Sequence, residues 1–141
     1  MPKATDAPAS TRLPDRIREF LAAPRYATIS TVNPDGSPHQ ATVWYAIDGD
    51  DVLVNSRVER RWPTNLARDP RLSLAVYEVE RPFHWVGVTG RAEREHVGDE
   101  ATNDVMALAR RYGRDPAAYQ GQNRVTYRIR VTKTYEYGAE D

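Results

Sequence analysis

The stretch YATISTVNPDGSPHQATVWYAIDGDDVLVNS, residues 26–56, decides the fold. Tyr26 to Val32 reads as a strand that runs into Asn33-Pro34-Asp35-Gly36. That tetrapeptide is a turn, because proline presets φ and glycine accepts a positive φ. Ser37 to Ile47 is a second strand, and Asp48-Gly49-Asp50 turns it into a third, Val52 to Ser56. The expected arrangement is an antiparallel meander. Its middle strand is apolar on both faces, with Ala41, Val43, Tyr45 and Ile47 on one and Thr42, Trp44 and Ala46 on the other. A strand apolar on both sides is covered on both sides. One cover is the core; the other is a helix, a second subunit or a ligand.

Upstream, Leu13, Ile17, Phe20 and Leu21 fall at helical spacing, with Pro14 and Asp15 in the first turn and Pro24 as the stop. Met1 to Arg12 is rich in Pro, Ala, Ser and Thr and reads as a mobile tail. Downstream, Arg57 to Arg68 is a basic turn followed by a short helix from about Pro63, with Leu66 inward and Asp69-Pro70 as its stop. Leu72, Leu74 and Val76 alternate as a strand, and Phe83 to Glu93 forms another, with Gly87 and Gly90 marking a bend or close approach. A second long helix opens at Gly98-Asp99, with Asp99 as N-cap and Val105, Leu108, Ala109 and Tyr112 as its apolar stripe. Arg110 and Arg111 suit its C-terminal end and Gly113 caps it. After a loop over 114–122, Arg124 to Val131 alternates cleanly, with Val125, Tyr127, Ile129 and Val131 on one face and Arg124, Thr126, Arg128 and Arg130 on the other. The order predicts a mainly β, α+β chain: an antiparallel barrel with short covering helices. The expected organisation is a tail over 1–12 and one domain over 13–141.

The totals narrow the function. Lys+Arg and Asp+Glu both number 20, so the chain has no bulk attraction for nucleic acid or anionic membrane. No cysteine is present, which excludes disulfides, thiolate metal sites and a cysteine nucleophile. No apolar run approaches a membrane span and the N-terminus lacks a signal-peptide core, so a cytoplasmic protein is expected. His39, His84 and His96 show no metal-ligand spacing, and neither G-x-S-x-G nor a glycine-rich phosphate loop occurs. Metal and serine hydrolases are not expected.

The turn Asn55-Ser56-Arg57-Val58-Glu59-Arg60-Arg61 is the foremost site candidate. Backbone N–H groups, a serine hydroxyl and several guanidinium groups can converge there on a phosphate. By residue type alone, a solvated basic turn with Glu59 as internal partner is the commoner outcome. Arg124, Arg128 and Arg130 read as a solvated or interface face, with Arg124 also within reach of a phosphate.

Four pieces resemble the pyridoxamine-phosphate-oxidase-like split-barrel superfamily, in the branch that uses the deazaflavin coenzyme F420. They are Ala27 to His39, Thr42-Val43-Trp44-Tyr45, the run from Asn55-Ser56 through Arg60-Arg61 to Asn65–Arg71, and Val88-Thr89-Gly90-Arg91-Ala92-Glu93. The ending Asn123 to Arg130 is similar too, so the resemblance covers about Leu13 to Tyr137. It implies an FMN-binding-like split β-barrel, a homodimer with the cofactor at the interface, and hydride transfer between F420 and a small electron-poor organic substrate. Ser56, Arg60 and Arg61 are the implied phosphate or tail ligands, beside Asn55. Thr42 and Val43 would flank the ring, Trp85 would cover it, and Arg124 would approach the phosphate end. Tyr45 and His84 are the candidate proton donors, since the cofactor carries the redox chemistry itself. One position departs from the family: Trp62 stands where a lysine that helps hold the phosphate is usual. The alternatives are an FMN protein of the same fold, a non-catalytic barrel that stores a cofactor or haem, and a degenerate dimer with Trp62 filling the phosphate space.

Overall fold

The structure, a computed structural model, describes residues 10–139. Its strands are β1 (Tyr26–Val32), β2 (Pro38–Val43), β3 (Ala46–Asp48), β4 (Asp51–Arg57), β5 (Arg71–Tyr77), β6 (Trp85–Val97) and β7 (Arg124–Tyr137). The helices are α1 (Asp15–Ala22), α2 (Arg61–Arg68) and α3 (Gly98–Arg111), with a 3-10 turn at Pro116–Tyr119. All strands join one antiparallel sheet in the order β2-β1-β5-β6-β7-β4-β3.

That order contains the main correction to the expected meander. The strand expected over 37–47 breaks at Trp44-Tyr45, and its halves lie at opposite edges of the sheet. β2 pairs with β1 and β3 pairs with β4. Two residues can join opposite edges only if the sheet curls until they meet, so the sheet is a barrel with a seam. The seam survives because α3 satisfies the backbone that leaves the ladder. Tyr45 N donates to Tyr112 Oη (3.2 Å), and Tyr45 O accepts from Arg111 Nε (3.0 Å). The rest of the Arg111 guanidinium takes the carbonyls of Leu21, Ala22 and Ala23, which ties the end of α1 to the same point.

The curl needs backbone irregularity on the longest pairing. β6 and β7 shift register between Thr89 and Gly90 and again between Arg94 and His96. Such bulges bend a strand and increase its twist. Gly90 sits at the first, where a Cβ would come within 2.4 Å of the Arg130 carbonyl oxygen. Inside the barrel lie Ile29, Val54, Leu74, Val88 and Ile129, all at most 2 % exposed. Leu13, just ahead of α1, and Phe20 and Leu21 on it close one end, and Trp62 and Leu66 pack on the same core from α2.

Local expectations fare unevenly. Val125, Tyr127, Ile129 and Val131 are buried as the alternation requires. β6 and β7 both run past their expected ends. The N-cap of α3 is Val97, not Asp99, which sits in the first helical turn with Glu100 and faces the positive end of the dipole. α2 starts at Arg61, two residues before Pro63, which costs nothing because first-turn N–H groups have no intrahelical acceptor. Arg128 and Arg130 are not a solvated face: Asp51 bridges both at 2.8 Å, Glu93 takes Arg130, and Asp48 and Glu95 take Arg128. Of the expected tail, residues 1–9 lie outside the described residues. Thr11 N donates to Val131 O at 2.8 Å, so the chain already follows β7 there.

Candidate functional site

A cleft of about 280 Å³ opens where the barrel seam meets α3 and the loop after it. Trp44, released from the ladder by the strand break, forms one wall. Its indole stacks on Tyr112 with centroids 5.0 Å apart at 11°, and Tyr119 meets it edge-on at 5.8 Å. Tyr26 and Trp62 line the cleft too, with Val43 and, from α3, Val105 and Leu108. This side of the cleft is thus aromatic and aliphatic, as suits a planar ligand.

The polar end is basic. β4 and the turn after it supply Asn55, Ser56, Arg57 and Arg60, and β7 supplies Arg124. Arg124 is only 7 % exposed. Its Nε donates to Asn55 Oδ1 at 2.7 Å, an Nη donates to Gln122 Oε1, and its guanidinium carbon lies 5.7 Å from the Tyr119 ring centroid. Among the described residues, no carboxylate comes within 4 Å of Arg124 or Arg60, whereas Arg57 pairs with Glu59 at 2.8 Å. Burial, and next the positive charge of Arg60, pull the Arg124 pKa down to about 10. It stays charged at neutral pH. A buried guanidinium with only neutral partners is poorly compensated, and an anion arriving in the cleft would supply what it lacks.

Of the expected site residues, Thr42, Val43, Asn55, Ser56, Arg60 and Arg124 come together on this cleft. Asn55 acts there as a brace: its amide nitrogen donates to Ala101 O (2.9 Å) and Thr126 Oγ1 (2.8 Å) while its oxygen holds Arg124. Ser56 Oγ donates to the Arg57 carbonyl at 3.1 Å. Arg61 points elsewhere, into a groove with Asn33, Asp35 and His39. Arg60 is the extended N-cap of α2 and Arg61 its first helical residue, so the two side chains leave the backbone in different directions and reach different pockets.

Three further candidates lie away from the cleft. Tyr45 is fully buried; its hydroxyl donates to Ala23 O at 2.8 Å, and burial raises its pKa well above the ordinary tyrosine value. His84 sits between two carboxylates, Glu78 (2.9 Å) and Glu136 (3.0 Å), with its ring edge-on to Phe20. Trp85 packs against Tyr135 and Tyr137 at the ends of β6 and β7. Sequence reasoning missed Tyr26, Tyr119 and Gln122 as lining residues, and named Arg57 only as part of the basic turn. Trp62 is 3 % exposed and belongs to the core cluster, so it forms part of the cleft wall and leaves the cavity open.

The sequence profile of the family described as pyridoxamine 5'-phosphate oxidase matches residues 13–138. The chain belongs to that family. No protein of curated function matches. Among solved structures, an F420 reductase is 25 % identical with a TM-score of 0.75, over 87 % of this chain and 98 % of that one. A conserved hypothetical protein from Mycobacterium tuberculosis is 26 % identical, also at 0.75, over 96 % and 91 %. The heme storage protein HutZ from Vibrio cholerae shares the fold at 20 % identity and a TM-score of 0.71, over 93 % and 100 %. The seam, the curled seven-stranded sheet and the helix over its opening are the family's split barrel. Among the described residues of this family member, no helix is long and apolar enough to cross a membrane.

Proposed function

We propose that the cleft binds a deazaflavin, coenzyme F420, by its phosphate end, and that the protein transfers hydride between it and a small electron-poor organic substrate. The observation that carries this reading is the pair of guanidinium groups without a carboxylate partner, Arg124 and Arg60, at the polar end of an aromatic cleft. The likeness to an F420 reductase over nearly all of both chains supports the choice of deazaflavin.

In this reading Arg124, Arg60 and Arg57 take phosphate oxygens, beside Ser56 where β4 ends. Trp44, held by its stack on Tyr112, presents an aromatic wall to the ring system. β2 is an edge strand, so every second residue of it has backbone polar groups without a ladder partner, and one of the consecutive pair Thr42 and Val43 offers its groups to the polar ring edge. Deazaflavin supplies two-electron hydride chemistry at its ring carbon C5, so the protein's tasks are binding, orientation and exclusion of water. Tyr119 and Gln122, on the loop after α3, narrow the opening. The proposal includes the homodimer implied by the family resemblance; Phe83, Val79 and Tyr137, at 76 %, 67 % and 59 % exposed, provide apolar surface for one.

Storage of haem is the less favoured reading. Among the described residues no histidine or methionine lines the cleft, and the chain has no cysteine, so of the usual axial ligands only tyrosine is at hand there. FMN remains the rival, because the same arginines accept its phosphate. Parallel fluorescence titrations with F420 and FMN, with haem followed by absorbance, test the proposal. Micromolar F420 binding with far weaker FMN binding is expected. Tighter binding of FMN or haem, or no binding at all, refutes it.

A further inference from the structure

A directed chain of hydrogen bonds runs from the surface of α3 into the cleft. Arg124 Nε donates to Asn55 Oδ1 (2.7 Å), Asn55 Nδ2 donates to Thr126 Oγ1 (2.8 Å), and Thr126 Oγ1 donates to Asp104 Oδ2 (2.6 Å). From the other side His96 Nδ1 meets the same Asp104 oxygen at 2.7 Å. An ionised carboxylate only accepts, so every proton along the path points toward Asp104. The chemistry fixes this polarity. Arg124 has only donors, so the atom facing it must be the Asn55 oxygen, and a flipped amide would set donor against donor. The Asn55 amide nitrogen then has two acceptors, Thr126 and the Ala101 carbonyl.

The placement of the negative charge is informative. A carboxylate touching Arg124 would neutralise it and compete with an incoming anion. At three hydrogen bonds' remove, Asp104 can orient and polarise the guanidinium without occupying its outer face. Carboxylates beyond the ligating groups of a site commonly act in this way. The three inner members are buried, with Asn55, Thr126 and Arg124 at 9 %, 1 % and 7 % exposed, while the Asp104 side chain at the surface end is 31 % exposed. Among the described residues, one Arg124 Nη bonds to Gln122 and the other makes no hydrogen bond.

We propose that Asp104 is a positioning residue of the cleft, fixing the Arg124 guanidinium through Thr126 and Asn55 so that its Nη groups meet a phosphate. The inference rests on the reading of the cleft as a phosphate site and deepens it. The competing role for Asp104 is a strap, tying α3 to β6 through His96 alone.

The test uses two readouts on the full chain. The first is the Arg124 Nε–H resonance and its solvent exchange, measured by NMR without ligand. The second is a double-mutant cycle in F420 affinity, with inorganic pyrophosphate as a second probe. Asp104→Asn keeps the shape and removes the charge. Thr126→Val breaks the chain in its middle and leaves His96 on Asp104, so it carries the test if Asp104→Asn fails to fold. Both variants should shift the Arg124 resonance and speed its exchange at least about tenfold, and raise the dissociation constant about three- to tenfold. In an Arg124→Met background neither should weaken binding further. An unmoved Arg124 resonance, or equal losses in both backgrounds, overturns the inference. If the wild type binds pyrophosphate with the expected coupling but neither F420 nor FMN, the positioning role stands and the cofactor reading falls. If it binds F420 and the cycle is additive, the positioning role falls alone. If neither probe binds, both fall.

Discussion

Replacing Arg124 by methionine should abolish tight anion binding while leaving the fold about as stable as before. Arg124 is 7 % exposed and its pKa falls from 12.5 to about 10, first because it is buried and next because Arg60 is close. At about 1.4 kcal/mol per pKa unit, holding the charge there costs on the order of 3 kcal/mol. The folded-state pKa of this base is lowered, so the cost is fully present at neutral pH and fades only as pH rises above about 10. Against it stand the bonds to Asn55 and Gln122, about 1 kcal/mol each, and the contact with the Tyr119 face, about 1 kcal/mol. Methionine removes both sides of this balance, so the net change in unfolding free energy should stay within about 1 kcal/mol. Binding has no such compensation. One charge-assisted hydrogen bond to phosphate is worth about 1.5–3 kcal/mol, so affinity should fall about 10- to 150-fold. Urea unfolding and F420 titration on the same preparation measure the two quantities. A variant that loses more than about 3 kcal/mol of stability and keeps wild-type affinity would show that Arg124 is a strut, not an anion ligand.

The neighbouring arginines should separate by their geometry. Arg60→Ala should weaken F420 binding by about tenfold, as expected for a charged contact, while Arg61→Ala, facing the groove with Asp35 and His39, should change it less than twofold. His96 has a pKa raised above 6.5, chiefly by its hydrogen bond to Asp104. Its stabilising contribution is therefore complete below pH 6.5 and lost as pH rises through the raised value; urea midpoints across that range should fall in the wild type and stay flat in His96→Gln. Gly90→Ala should cost about 2–3 kcal/mol, because its Cβ would meet the Arg130 carbonyl oxygen at 2.4 Å on a backbone that cannot give way. Gly87→Ala meets the Tyr135 ring at 2.2 Å, but that side chain is 43 % exposed and can swing aside, so its melting temperature should drop less.

The strands were legible because burial on one face leaves a period-two record: Leu72, Leu74 and Val76, or Val125 to Val131, show it within one short window. The family was legible for the same local reason, in short motifs in a fixed order. The break at Trp44-Tyr45 was not. Its cause, Arg111 and Tyr112 taking the backbone of Tyr45, lies more than sixty residues away, and the strand itself remains apolar through the break. The site followed the same division. Ser56 and Arg60 stood out because they cluster in sequence. Tyr119 and Gln122 sit in a segment that reads only as loop, and their place on the cleft comes from where α3 ends.

By itself the sequence determined most of the strand and helix inventory, though not the division of the strand over 37–47, together with the absence of thiol chemistry and a basic turn after β4 suited to phosphate. Those properties follow from residue type and spacing over a few positions. Tertiary structure decided which arginines share a cleft, dividing Arg60 from Arg61 across the start of α2 and bringing Arg124 from β7 to join Arg60. It also placed Tyr45 in the core and His84 between Glu78 and Glu136, both away from the cleft. The physical reason is that direction and compensation are long-range quantities. Whether a guanidinium meets a carboxylate or an open cleft depends on how the sheet curls, and no local window of sequence records that.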